Sequence, residues 1–191
     1  MLYLASASPR RRELLALLGV EFTVRPMHIP ESPEPGESPQ DYVQRLAREK
    51  AGACAQLLRK EHAHKDWRVL GADTIVVADQ RILEKPKDVA DYQEMMKLLS
   101  GRSHYVYTAV NLTTATTSET ILVPSEVQFR ELSDEDIARY WQTGEPLDKA
   151  GGYGIQGPAG AFVAHLNGSF FAVMGLPLYE TDQLLRAHIG I

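Results

Sequence analysis

The sequence predicts an α/β protein, built as one domain or as two closely joined lobes. Short apolar runs of strand length alternate along the chain with segments whose apolar residues recur at helical spacing. Glycine, proline and asparagine punctuation separates these runs. At 191 residues and 44% hydrophobic composition, the chain can bury a sizeable core without disulfides or metal staples.

Leu2 to Ala5 suits a short buried strand. It ends at Ser6-Ala7-Ser8-Pro9, ahead of a helical pattern through Leu14, Leu15, Leu17 and Leu18, with Ser8 fitting an N-cap and Pro9 the first helical position. Glu21 to Val24 reads as a second strand. Pro26, Pro30, Pro33, Pro35 and Pro39 then mark a long polar loop suited to covering a site. Ser38-Pro39 opens a long helix with Tyr42, Val43, Leu46, Ala47, Ala51, Cys54, Leu57 and Leu58 at helical spacing. Arg68 to Ala78 reads as a central strand interrupted at Gly71-Ala72-Asp73-Thr74, and Asp79-Gln80 as a turn into a short strand at Ile82 and Leu83. Asp88 is placed to cap a helix ending near Gly101. Two β-rich stretches, His104 to Thr113 and Thr120 to Phe129, are expected to pair. Ser133-Asp134-Glu135-Asp136 carries a helix-start signature for the segment through Trp141. A glycine-rich loop spans Asp148 to Gly160, Asn167-Gly168 between apolar runs signals a tight hairpin, and Pro177 sits where a last helix would begin. With no internal repeat or clear linker, residues 1–191 read as a single domain.

The net charge of −5 disfavours a nucleic-acid partner, which calls for a basic field facing the phosphate backbone. Cys54 stands alone and cannot form an internal disulfide, and no cysteine and histidine cluster has zinc-ligand spacing. A reducing compartment follows, with Cys54 as a packing residue. The first residues lack the basic-then-apolar form of a signal peptide, and no run reaches the roughly 18 apolar residues needed to cross a bilayer. The expected location is the cytoplasm, by elimination, with no membrane partner.

Ser8-Pro9-Arg10-Arg11-Arg12 brings unpaired backbone N–H groups, a positive dipole end and guanidinium forks to one helix start. Polyphosphate binding and a solvated first turn both explain it, although cations at that end oppose the dipole and call for a reason. Asp73 lies within the apolar run Val69, Leu70, Ile75, Val76 and Val77, where an unpaired carboxylate is costly. It could activate a water, bind a divalent cation, or accept backbone hydrogen bonds at a bulge. Lys85, in Glu84-Lys85-Pro86-Lys87-Asp88, is held extended by the following proline, in what is otherwise an ordinary charged loop. Lys50 would ordinarily be a surface helix charge, but its neighbours are small and apolar. The glycines of Asp148 to Gly157 require unusual dihedrals or close approach to a ligand or to the rest of the fold. Gln156, within it, offers a donor and an acceptor that suit a pyrimidine edge. His62 and His64 read as solvated, His104 and His165 as structural, and Phe170, Phe171 and Tyr179 as core residues rather than an interface.

Ser6-Ala7-Ser8-Pro9-Arg10-Arg11, Gly71-Ala72-Asp73-Thr74, Glu84-Lys85-Pro86, Ser100-Gly101-Arg102-Ser103-His104 and Asp148 to Gly157 together resemble the Maf family of nucleotide pyrophosphatases, in order and across nearly the whole chain. The Asp73-Thr74 pair and the loop ending at Gln156 resemble the branch that cleaves dTTP and UTP rather than 7-methyl-GTP. The resemblance implies an elongated mixed β-sheet flanked by helices, in two lobes about a central cleft. It implies Asp73 as catalytic base with Lys50, Lys85 and Glu31 nearby, phosphate contacts from Ser8, Arg10 and Arg11, and base preference set by Arg11, Thr74 and Gln156. A divalent cation, magnesium or manganese, is implied too, with Asp73 and Glu31 as its contacts, and often a homodimer. Family members often carry two adjacent acids in the first loop, whereas here Pro30 precedes Glu31. The expected chemistry is attack of a water on the α-phosphorus of a nucleoside triphosphate, with pyrophosphate leaving intact. The alternatives are a nucleotide-binding regulator of septum formation without useful turnover, and a pyrophosphatase for modified purine triphosphates.

Overall fold

The computed structural model describes residues 1–61 and 66–189, with side chains through residue 188. His62 and His64 lie outside the described residues. The chain opens with β1 (Leu2–Leu4), α1 (Pro9–Ala16) and β2 (Phe22–Val24), and the proline-punctuated loop leads into α2 (Pro39–Glu61). β3 (Arg68–Ala78) and β4 (Arg81–Leu83) follow, then α3 (Val89–Leu99), β5 (Ser103–Thr113) and β6 (Ser118–Phe129). α4 (Asp134–Trp141), three short 3-10 turns over Glu145–Asp148, Ala150–Gly152 and Pro158–Phe162, β7 (Val163–Asn167), α5 (Phe170–Met174) and α6 (Leu178–Ile189) complete it.

The strands form one mixed sheet of seven, in the order β2-β1-β3-β5-β6-β7, with β4 paired to β3. β1 runs parallel to both β2 and β3, with Leu4 opposite Val24 on one side and Leu70 on the other. β4 and β7 run antiparallel to β3 and β6. The chain therefore leaves β1 for a strand on one side and returns through α2 to a strand on the other. In open α/β sheets, such a reversal is where ligands meet the carboxyl ends of the strands.

Contacts divide the chain into two compact units. The first comprises Met1–Asp73, Thr108–Val123 and Gly175–Ile191, the second Thr74–Tyr107 and Pro124–Met174. In the first, Tyr3 and Val69 from the strands pack with Ala51, Cys54 and Leu58 of α2 and with Trp67. In the second, Tyr92, Met96 and Leu99 of α3 pack with Val106, Phe129, Tyr140 and Phe162.

Local signals explain the helix starts. The Ser8 side chain accepts from the Arg11 N–H, with Pro9 in the first turn, and Asp88 caps α3 through the Asp91 N–H. Ser133 and Asp136 form a capping box at α4. Asp79 and Gln80 take positive φ of 50° and 63°, the two-residue turn geometry that joins twisted antiparallel strands. Cys54 is a buried free thiol, as expected of a packing residue.

Four expectations are corrected. β3 is continuous through Gly71-Ala72-Asp73-Thr74, so Asp73 sits in an unbroken strand. The strand survives its polar residue because Asp73 finds an ionic partner on α2. Asn167-Gly168 is not a hairpin, since β7 pairs back to β6 and the chain passes through Gly168 into α5. Gly168 has φ of 142°, and a side-chain carbon there would lie 2.8 Å from the Ser125 Cα, so it serves a close approach to β6. Phe170, Phe171 and Tyr179 are 41%, 39% and 73% exposed and lie outside the core. His104 is buried, as a structural histidine should be, whereas His165 is exposed on β7.

Candidate active site

α2 and β3 build the site in the first unit. Gly71 and Asp73 are two residues apart on β3 and so face the same side. A side-chain carbon on Gly71 would overlap the Ala47 carbonyl oxygen and lie 2.8 Å from the Ala51 backbone nitrogen. Only a glycine admits α2 this closely. Lys50, on the same stretch of helix, then reaches the strand, and its Nζ donates to Asp73 Oδ1 at 2.7 Å. The same ammonium lies 2.9 Å from Glu31 Oε1. Lys50 and Asp73 are buried, at 10% and 9% side-chain exposure, while Glu31 is 53% exposed and opens the group to solvent.

Glu31 comes from the proline-punctuated loop, which α2 pins in place. Tyr42 Oη donates to the Glu31 carbonyl at 3.1 Å, and Arg45 donates to the Ser32 carbonyl at 3.0 Å and to the Glu37 carboxylate at 2.7 and 2.8 Å. The loop expected to cover a site thus delivers a carboxylate to one.

β1 delivers the phosphate candidates. The Ala5 N–H donates to the Leu70 carbonyl at 2.8 Å, so the Ser6-Ala7-Ser8 turn leaves the carboxyl end of β1 beside β3. Ser6 is buried, and its Oγ accepts from the Ser8 N–H at 3.2 Å and from Arg11 Nη1 at 3.4 Å. Arg11 Nε also donates to the Gly175 carbonyl at 2.8 Å. Burial lowers the Arg11 pKa, against the opposing fields of Asp73 and Glu31. Arg10 is half-buried in the same helical turn, which holds no acid. A helix start carrying cations rather than acids runs against its own dipole, an arrangement that suits a bound anion.

Burial raises the Asp73 pKa, while Lys50 and Arg11 pull the other way. A carboxyl with those opposing influences can both carry charge and accept a proton. Among the described residues, no three histidine, cysteine, aspartate or glutamate side chains gather as a metal cage. A small divalent ion that keeps its waters and binds substrate phosphates needs one or two protein carboxylates, and Asp73 and Glu31 are such a pair.

The structure therefore brings together Glu31, Lys50 and Asp73, with Arg11 within their field and Ser8 and Arg10 on its helix. Thr74, Lys85 and Gln156 belong to the second unit. Thr74 follows Asp73 on β3 with its side chain to the opposite face, Lys85 is exposed after β4, and Gln156 is half-buried among the 3-10 turns. Sequence reading gave no role to Gly71 or Ser6. Gly71 had a signal, a glycine within a strand two residues before a buried carboxylate, which marks a close backbone approach.

Residues 1–188 match the family described as Maf-like protein. A dTTP/UTP pyrophosphatase from Photobacterium profundum is 50% identical over 100% of this chain and 97% of its own length. Proteins of that name from Vibrio cholerae and Escherichia coli are 52% and 54% identical, over 97% and 96% of this chain and 96% and 91% of theirs. Among solved structures, a nucleoside-triphosphatase (dITP/XTP pyrophosphatase) from Mycobacterium abscessus aligns over 69% of this chain and 75% of its own, at 16% identity and a TM-score of 0.41. Half-identical relatives over the full length and a family match from the first residue to the last helix place this chain in the Maf family.

Proposed function

We propose that this chain is a nucleoside triphosphate pyrophosphatase that cleaves dTTP and UTP, and modified pyrimidine counterparts, to the monophosphate and pyrophosphate, clearing them from the nucleotide pool. The observation that carries it is the buried Lys50 ammonium held between Asp73 and Glu31 at 2.7 and 2.9 Å, in a chain half identical to relatives named for that activity. The buried free thiol of Cys54 favours a reducing, cytoplasmic setting.

In this reading Asp73 takes the proton of the attacking water. The water oxygen bonds to the α-phosphorus as the bond from that phosphorus to the bridging oxygen breaks, and pyrophosphate leaves with that oxygen. Lys50 holds Asp73 in place and, with Lys85, offsets charge on the leaving group. The Ser8 cap and the first backbone N–H groups of α1 take phosphate oxygens, with Arg10 and Arg11 as bidentate partners. Thr74 and Gln156, with Arg11, set base preference. A divalent cation, magnesium or manganese, would be held by Asp73 and Glu31 and would supply positive charge to the triphosphate oxygens.

The test is incubation of the purified protein with magnesium and a panel of normal and modified triphosphates, reading monophosphate and pyrophosphate, with Asp73→Asn as control. Cleavage of dTTP and UTP that the control loses supports the reading. Stepwise release of phosphate through the diphosphate overturns the bond assignment, cleavage of purines alone moves the substrate, and silence across the panel favours a binding regulator.

A further inference from the structure

The glycine-rich loop contains two kinds of glycine. Gly151 and Gly152 have φ of 67° and 71°, which L side chains rarely adopt. Gly154 and Gly157 have no positive φ, so the backbone does not require glycine there. The space does. A side-chain carbon on Gly157 would overlap both oxygens of the Glu145 carboxylate, and one on Gly154 would lie 2.9 Å from Glu145 Oε1. That same point is 3.1 Å from Gln156 Nε2. The Gly157 N–H donates to the Gly154 carbonyl at 3.0 Å, closing a turn that contains Gln156. Both glycines therefore clear room for one carboxylate beside the Gln156 amide.

Glu145 is itself fixed. Tyr140 Oη donates to Glu145 Oε2 at 3.1 Å and accepts from the Gly154 N–H at 3.0 Å, so one hydroxyl ties the carboxylate to the turn. Burial raises the Tyr140 pKa, which keeps that hydroxyl protonated. Gly144, at φ of 73°, ends α4 by donating to the Trp141 carbonyl, and the Glu145 N–H donates to Thr143 Oγ1 at 3.2 Å. The end of α4 thus presents Tyr140 and Glu145 together.

We propose that Glu145 is a positioning residue for base selection: its carboxylate holds the NH₂ end of the Gln156 amide toward itself, leaving the amide oxygen to face the base. An ionised carboxylate only accepts hydrogen bonds, so it fixes which way an amide of nearly symmetric shape lies. Uracil and thymine carry an N–H at N3, which an amide oxygen accepts. Cytosine has a bare nitrogen there, whose lone pair the same oxygen repels. Without Glu145 the amide can turn over and offer its NH₂ group to cytosine. The inference rests on the proposed role of Gln156 in base contact.

The experiment measures kcat and KM for UTP and CTP in the full chain, wild type and Glu145→Gln, alone and combined with Gln156→Ala. The expected result is a fall in the UTP-to-CTP ratio of kcat/KM by about ten-fold or more in Glu145→Gln, chiefly through a higher KM for UTP. Acting through Gln156, the Glu145 change should add nothing further in the Gln156→Ala background. Should Glu145→Gln fold poorly, Tyr140→Phe, which cuts the tie but keeps the carboxylate, should lower the same ratio. An unchanged ratio in the folded variant, or losses that add in the double variant, overturns the inference alone. A wild-type protein that cleaves neither UTP nor dTTP overturns the functional reading and the inference with it.

Discussion

Lys50 carries two carboxylates on one ammonium, and its removal leaves a buried charge without a partner. Breaking a buried pair from one side typically costs about 3–5 kcal/mol, because the remaining charge has lost its compensation. Lys50→Met should accordingly be destabilised by about 3 kcal/mol at neutral pH, measured by denaturant unfolding. The deficit should shrink at lower pH: without the ammonium, burial raises the Asp73 pKa further, and a protonated Asp73 needs no cation. A deficit that stays constant from pH 8 to pH 5 would show that Asp73 is not the group left exposed by the change. Asp73→Asn keeps the shape and removes the proton acceptor, and should lower dTTP turnover by about 10²–10⁴-fold while triphosphate binding persists. Asp73 was legible because a carboxylate within Val69, Leu70, Ile75, Val76 and Val77 demands a partner. Lys50 was legible only through the family resemblance, because helical spacing says which residues share a face but not whether a long side chain on that face reaches inward.

At the level of elements, the approach of α2 to β3 sets the site, and Gly71 governs it. Gly71→Ala forces its new carbon against the Ala47 backbone and should cost about 1–3 kcal/mol by overpacking, with kcat/KM falling as Lys50 moves from Asp73. Gly52, on the same helix, faces open space, so Gly52→Ala should be neutral or stabilising by up to about 1 kcal/mol. Thermal unfolding and dTTP kinetics on the two variants separate the close approach from a general intolerance of substitution. Equal effects at both positions would remove Gly71 from the account. The elements themselves were largely legible. Caps at Ser8, Asp88 and Ser133 and the turn at Asp79-Gln80 lie where local chemistry places them. Local chemistry misled at Asn167-Gly168, where the glycine answers to Ser125 on another strand, and at Asp73, where an ion pair keeps the strand whole.

For the molecule as a whole, the two units have separate cores, and the second contains a titratable group. His104 is 2% exposed, its Nε2 shares a hydrogen bond of 2.7 Å with Tyr153 Oη, and its ring packs edge-on against Phe129 and Tyr153. Burial pushes its pKa from 6.5 down to about 4. The unfolded chain therefore binds a proton between those values that the folded chain refuses, and stability falls as pH drops through that window. The loss is about 3 kcal/mol once pH falls below the folded value. Unfolding followed from pH 7 to pH 4 should show this fall, and His104→Phe should lack that component. A histidine variant with the same acid sensitivity as wild type would place the titration elsewhere.

The sequence by itself determined the α/β class and the order and approximate limits of most elements, because spacing and caps are local patterns, and it determined the family, because several short motifs recur in order along nearly the whole chain. It also exposed Asp73 and the Ser8 to Arg12 helix start as chemically unusual, since each violates a local rule. Only the tertiary structure decided that Lys50 is buried between Asp73 and Glu31, that Gly71 makes room for it, and that Gly154 and Gly157 make room for Glu145. It also decided that Phe170, Phe171 and Tyr179 remain at the surface. The physical reason is that burial and pairing depend on which side chains the folded chain brings together, and a glycine reserved for another residue's atoms looks the same in sequence as one reserved for a turn.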